Sequence, residues 1–546
     1  MKNFADKIIY GNFYTVDKKQ PKAEVVAVKD GKFVYVGESA GAKDFIGENT
    51  EVIKYDNGLI LPGFVDGHAH CNLAVTQLFM CLLYDCKTVE EIRASLKKFI
   101  EAHEDFEVIQ GIGWSDATFG ENGPSANLID DLTDKPVILI DSSFHAYWLN
   151  SVAMKLKGID KNTPNVSSGL IHRDAAGNPT GCFREGAVKY IEDLVLHFPV
   201  EQYKQAILHF QNLVFAQGVT MFFDPMTNLN GPEKNIEEAY HQLDEEGKLK
   251  IHVHGGYQII ANRNPLAAVE RAAQLRKEKA GKNFDLDNVK ILLDGVLEGK
   301  TAYLEQPYCN NTDATKNYRG LLLFDLDTLA AVVKKANELG LTVHIHSIGD
   351  ACTKTALDAF EEAGTFSEMC NAITHLQLVN SEDIPRLAKL GVVAVTNPYW
   401  FFKVPAYHYG LTVPYLGEER AESQYPMKSF FGAGVTVTTA CDYPVTIVPQ
   451  PLLAMQLGVL RQQPNQPETL LNEKERVTVE QMIEAITLNG AYQFNCEEKL
   501  GSITVGKEAD MVILDTDITA CPSEKIAEAK VLRTMTGGDW VYTHAD

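Results

Sequence analysis

Apolar and polar positions along this chain follow two different rhythms. Near the N-terminus, Lys7 to Val16, Glu24 to Val28, Lys32 to Gly37 and Val52 to Tyr55 are rich in β-branched and aromatic residues. Asp30-Gly31 separates the second and third of these as a hairpin turn would. The far C-terminus has the same texture at Gly501 to Gly506, Asp510 to Asp515, Val531 to Met535 and Trp540 to Tyr542. Neither end has enough strands to bury a core alone. The pattern therefore predicts one small β-sandwich built from both termini, residues 1–59 and 497–546.

The middle of the chain alternates differently. Short apolar runs are separated by helical stretches, the βα rhythm of a parallel sheet. Eight such runs stand out: Leu61 to His70, Gly218 to Asp224, Lys250 to Gly255, Val289 to Asp294, Leu341 to His346, Ala372 to His375, Gly391 to Thr396 and Val435 to Asp442. Helical patterns fall between them, for example Leu326 to Leu339 and Asp383 to Leu390. The expected fold is α/β, a (β/α)8 TIM barrel over 60–84 and 214–496, with its active site at the C-terminal strand ends. Tyr84 to Leu213 is too long for one βα connection. It reads as an inserted α/β subdomain, 85–213, with a strand at Pro136 to Asp141 and a helix at Val200 to Ala216.

Composition narrows the function classes. The 546 residues carry a formal charge of −23, which argues against a nucleic-acid or anionic-membrane partner. The first residues contain no long apolar stretch of the signal-peptide kind, and no apolar run approaches the roughly 20 residues of a membrane span. Ten scattered cysteines without a Cys-X-X-Cys pair read as reduced thiols. The expected location is cytoplasmic and the expected partner a small molecule, with a homodimer left open.

The candidate chemistry gathers at the ends of the apolar runs. Asp66, His68 and His70 fall two apart, so in a strand they project from one face. A bare His-X-His means little by itself, because most such histidines are simply hydrogen-bonded. Further along, His344 and His346 end the fifth run, His375 the sixth and Asp442 the eighth. Several imidazoles and one carboxylate around one barrel mouth suit Zn2+ or a similar divalent ion. Lys290 lies on the fourth run, sharing a face with Leu292 and Asp294; it reads either as a lysine at a solvated strand start or as a buried functional amine. Trp114, Phe119, Trp400 and Phe401 could line an apolar pocket, though core packing is the default for any one aromatic.

These stretches resemble the amidohydrolase superfamily, and within it the YtcJ-like branch (amidohydrolase family 3, related to N-substituted formamide deformylases). The resemblance runs through Leu61 to His70, His145 to Ser151, Gly177 to Glu185, Val289 to Ala302, His346 to Asp350, His375 to Val379, Asp442 to Val445 and Leu500 to Leu514. It implies one or two divalent metal ions, with Zn2+ favoured, and hydrolysis of an amide-type C–N bond. By that match His68 and His70 hold the more buried ion, His346 and His375 the more exposed one, and Asp442 is ligand and general base. Lys290 is then the strand-four lysine whose CO2 adduct bridges both ions, and His145 contacts substrate or its oxyanion. Cys441 departs from the serine usual in the branch. The implied mechanism is attack by metal-activated hydroxide, with Asp442 passing the proton to the leaving nitrogen. Two other readings remain: a mononuclear deaminase of a heterocyclic amine, which would favour a His-X-X-Glu pattern on strand five, and a catalytically silent scaffold that has lost its ligands.

Overall fold

The computed structural model of the protein describes residues 4–115, 118–119, 123–142, 146–166, 169–228, 235–312, 316–364, 367–446 and 448–545. The chain divides into two compact units, one of residues 1–71, 208–230 and 240–546, the other of residues 72–207 and 231–239. In the first unit both termini contribute to one eight-stranded sheet. Its order is Asp539–Thr543, Val531–Thr536, Met511–Leu514, Leu59–Pro62, Lys7–Tyr14, Lys22–Lys29, Lys32–Gly37, and Glu51–Lys54 also pairs with Lys7–Tyr14. Strict alternation explains why it is stable. Ile9, Phe13, Val26 and Val28 enter one apolar cluster, whereas Ile8, Val25 and Ala27 enter another. Gly501 to Gly506 is not a strand, contrary to its β-rich composition. Ile503 and Gly506 donate to the carbonyls of Thr15 and Phe33 separately, and Gly501 and Gly506 have φ of 80° and 95°, which turns the chain out of an extended run at both ends of the segment.

The barrel consists of eight parallel strands in chain order: β1 (Phe64–Asp66), β2 (Val219–Asp224), β3 (His252–Ile259), β4 (Phe284–Leu292), β5 (Thr342–Ser347), β6 (Ala372–His375), β7 (Val393–Thr396) and β8 (Val437–Thr439). Neighbours pair from β1 through β8, and just past the strand ends Gly67 N donates to Thr439 O at 2.9 Å, linking the first strand to the last. Leu61 to His70, which reads as one strand, is a hand-over between two sheets. Leu59–Pro62 pairs antiparallel with Met511–Leu514 in the terminal sheet, and Phe64–Asp66 pairs with β2. Gly63 makes the step, where a Cβ would collide with the Thr220 side chain. β4 begins five residues earlier than its apolar core suggests, at Phe284 rather than Val289, so Lys290 stands near the C-terminal end of its strand and not at a solvated start.

The second unit holds a six-stranded sheet of order Gly169–Arg173, Pro179–Glu185, Ala146–Leu149, Val137–Asp141, Ile109–Trp114, Cys81–Leu82. Helix Val89–Ala102 starts in a capping box between Thr88 and Glu91 and buries Ile92 and Leu96. Trp114, Trp148 and Phe119 pack edge to face in one cluster of this unit, so Trp114 and Phe119 are packing residues.

Candidate metal centre

Three donor atoms converge at the C-terminal mouth of the barrel. His68 Nε2 and His70 Nε2 lie 3.4 and 3.5 Å from Asp442 Oδ1, and the three ligand atoms are all within 4.8 Å of one another. Donors bound at about 2.1 Å to a tetrahedral ion stand roughly 3.4 Å apart, so the spacing is that of a ligand set. His68 and His70 lie beyond β1, which ends at Asp66, and are not on the strand as its alternation suggests. Their place at the mouth is fixed by the segment after β8: Asp442 N donates to His68 O, and His70 N to Tyr443 O. Asp66, although two residues from His68, turns elsewhere. Its carboxylate accepts from His68 N and Cys441 N, tying the two segments together. Cys441 is buried, and its sulfur accepts from Tyr443 N at 3.3 Å.

Further side chains close around this set. Lys290, only 1% exposed, brings Nζ to 3.4 Å from His68 Nε2. The rings of His346 and His375 are 4.7 Å apart, and that of His375 is 5.2 Å from His68. His344 lies behind His68, with its Nε2 2.9 Å from His68 Nδ1. Thus His68, His70, Lys290, His346, His375 and Asp442 come together in one place. His145 lies outside the described residues.

Two residues that the sequence assigned no role at the site orient these side chains. Asp294 Oδ1 sits 3.1 Å from His346 Nδ1, and its carboxylate also accepts from the backbone of Tyr303, Ile348 and Gly349. Asn397 Oδ1 is 2.9 Å from His375 Nδ1, while its amide donates to Ala440 O. In each case Nδ1 is engaged and Nε2 is left for a ligand, the usual second layer of a metal site. The only hint in the sequence was position, just past a barrel strand. Trp400 stacks on His375 at 5.3 Å and 21°, whereas Phe401 is buried against Tyr425 and beneath the Arg461 guanidinium. Two of the site residues, His375 (φ 76°) and Asp442 (φ 57°), occupy the left-handed region, which costs each on the order of 1–3 kcal/mol and concentrates at functional sites.

The electrostatics suit a cation. Burial, then the Lys290 ammonium and the neighbouring imidazoles, hold His68 and His344 well below the usual histidine range. Burial followed by Lys290 and His346 brings His70 down to about 3. Burial, then His346 and Lys290, hold His375 well below the usual histidine range. These rings are neutral at pH 7 with lone pairs free, and buried His70 Nδ1 and His344 Nδ1 have no hydrogen-bond partner. Burial also pulls the Lys290 amine down, against the opposing pull of Asp442. Burial pushes Asp442 up, Lys290 opposing and Asp66 adding to it. A neutral-histidine, single-carboxylate donor set fits Zn2+ or a similar divalent ion.

A parallel eight-stranded barrel with this donor set at its C-terminal mouth has the architecture of metal-dependent barrel hydrolases. The family model described as "Amidohydrolase family" matches residues 51–542, and the chain belongs to that family. It is accordingly a hydrolase acting on carbon–nitrogen bonds. The putative amidohydrolase YtcJ of Bacillus subtilis is 28% identical, covering 98% of this chain and 99% of its own length. The N-substituted formamide deformylase of Arthrobacter pascens is 26% identical, covering 97% of each. A solved structure, that of an uncharacterized metal-dependent hydrolase from Pyrococcus furiosus, matches with TM-score 0.75 and 26% identity over 94% of this chain and 99% of that one.

Proposed function

We propose that the protein hydrolyses an amide-type C–N bond of a small substrate at this mouth, with Asp442 as general base. The observation that carries the reading is the approach of two neutral imidazole nitrogens, on His68 and His70, to one carboxylate oxygen of Asp442 at ligand-to-ligand spacing. His346 and His375, each oriented by a partner on Nδ1, offer a second pair of donors. A divalent ion held there, Zn2+ by the donor chemistry, would supply Lewis acidity and water of lowered pKa.

The chain's own groups supply the rest. Asp442 is buried, with its basicity raised, and so accepts a proton near neutral pH more readily than a solvated carboxylate. In the proposed step it takes the proton of the attacking water and returns it to the leaving nitrogen, which departs poorly unless protonated. Lys290, its amine pulled down by burial, is partly neutral near pH 7. Its lone pair can add to CO2, forming an N–C bond and losing a proton, to give a carbamate whose two oxygens would be further donors for such an ion. His145 is assigned the substrate or oxyanion contact.

The deaminase reading is disfavoured by the residues at and after the end of β5. His346 is followed by Ser347, Ile348, Gly349 and Asp350, and the Asp350 carboxylate accepts from Glu305 N and Ala351 N instead of standing free as an acid. The test is metal analysis of purified protein followed by a screen of N-formyl, N-acyl and cyclic amides. Turnover that is lost on chelation and returns with Zn2+, Mn2+ or Co2+ is the expected result. Protein that binds none of these ions and cleaves none of these amides would remove the proposal.

A further inference from the structure

At the opposite, N-terminal end of the barrel, His252 opens β3 where the terminal sheet approaches it. His252 Nε2 lies 3.3 Å from Asp510 Oδ2 and 3.6 Å from Glu508 Oε2, and the three atoms are all within 4.8 Å of one another. Asp510 is 3% exposed. Its Oδ1 accepts from Gly537 N, whereas Oδ2, like His252 Nε2, is buried and has no hydrogen-bond partner. Glu508 is only partly buried, and with His252 it lines a surface cleft shared with Lys250, Asn283, Thr536 and Gly537. The cleft supplies a path from solvent.

We propose that His252, Glu508 and Asp510 form a second metal site that takes a Zn2+-like divalent ion, separate from the mouth of the barrel. The spacing of 3.3 and 3.6 Å again matches the edge of a tetrahedron with bonds of about 2.1 Å. Charge balance favours a divalent ion over a proton. An imidazolium between two carboxylates leaves a net negative charge, partly buried; a neutral imidazole, two carboxylates and a divalent cation sum to zero. Directionality agrees, because His252 Nε2 makes no hydrogen bond to either carboxylate although both are near. One nitrogen and two oxygens suit Zn2+ better than Ca2+ or Mg2+, which prefer oxygen alone. The fourth position falls to water from the cleft, where the exposed Lys250 and Lys282 ammoniums remain in solvent.

Such an ion joins strand β3 of the barrel to the segment preceding Met511–Leu514 of the terminal sheet. Its role is a structural clamp. The test uses the full-length chain in two arms. Crystals grown with a small molar excess of ZnCl2 are measured above and below the zinc absorption edge, and an anomalous peak is expected at His252 Nε2. In solution, chelator-treated wild type and Glu508→Gln are titrated with ZnCl2. Glu508 is partly exposed, so this variant is expected to fold. It should lose one class of Zn2+ sites and part of the Zn2+-dependent rise in Tm, while keeping the wild-type rate of amide hydrolysis. No peak at His252, or equal Zn2+ stoichiometry in wild type and Glu508→Gln, overturns the site; in that case His252 is a protonated partner of two acids.

Discussion

The two ends of the barrel use histidine in opposite ways. At the C-terminal mouth, burial, the Lys290 ammonium and crowding by other imidazoles hold His68, His70, His344 and His375 below the usual range. At the N-terminal end, burial alone would do the same to His254. There the Asp287 carboxylate, 2.8 Å from Nδ1, outweighs burial and raises it to about 10. Without an ion, His252 is likewise raised against its burial by Asp510 and Glu508, and a cation bound there would take the place of that proton. Burial is common to both ends, so it is the ratio of carboxylates to imidazoles that decides protonation. At the mouth His68 and His70 share the Asp442 carboxylate with each other and with the Lys290 amine and keep lone pairs for a cation, whereas His254 has the Asp287 carboxylate at 2.8 Å and stays charged.

The mouth should be broken most completely at Asp442, the carboxylate of the proposed ligand set. Asp442→Asn keeps size and removes the proton acceptor, so kcat should fall by roughly 10²-fold or more, with the unfolding transition close to wild type. An Asn variant with wild-type turnover and full metal content would take Asp442 out of the chemistry. Lys290→Ala comes next: activity should fall by about 10- to 100-fold and bound metal should decrease. Acetate added with metal should restore part of the rate if a carboxylate oxygen is what the position supplies. Native-protein mass spectrometry that finds only the unmodified lysine in active, metal-loaded enzyme would rule the carbamate out. Asn397→Ala leaves every ligand in place but frees the His375 ring, and about a 10-fold loss of kcat/KM is expected. Binding of Zn2+ and activity both identical to wild type would show that Trp400 stacking alone orients His375.

The smallest effect sharpens the contrast through pH, and it is read on metal-free protein. A histidine whose folded pKa is depressed loses stability as pH falls below its unfolded value near 6.5, because only the unfolded chain takes up the proton. For His70 that loss continues towards pH 3. A histidine whose folded pKa is raised is fully stabilising below about 6.5 and loses that stability as pH rises through its folded value. For His254 the window runs from about 6.5 to 10. Tm should therefore fall on both sides of neutrality, and Asp287→Asn should flatten the alkaline side alone. An unchanged alkaline slope in that variant would mean the pair contributes nothing to the pH dependence.

Much of this was legible in the pattern of residues. The eight βα runs specify the barrel because buried parallel strands need near-continuous apolar segments, and the terminal alternation marks a sheet that both ends must complete. The candidate ligands His68, His70, His346, His375 and Asp442 could be nominated because each stands at or just past the end of an apolar run. The positioning residues Asp294 and Asn397 share that position, but nothing in the sequence distinguishes their role. Their role depends on which ring nitrogen they meet, and that is set by loops crossing from neighbouring strands.

The order of elements along the chain also concealed several boundaries. The sequence places Lys290 early in a short strand, but pairing of Phe284 with Val253 extends β4 backwards and sets the lysine deep at the mouth. The step at Gly63 from one sheet to another depends on Thr220, more than a hundred and fifty residues away in sequence, and no local pattern marks it. Most instructive are the three His-X-His pairs, His68/His70, His252/His254 and His344/His346, which are alike as text. Local sequence determined that each could sit on or beside a buried strand. Only the tertiary structure decided which met Lys290 and other imidazoles and which met Asp287, Glu508 and Asp510, because a ring's protonation and its ligands depend on charges brought near it through space.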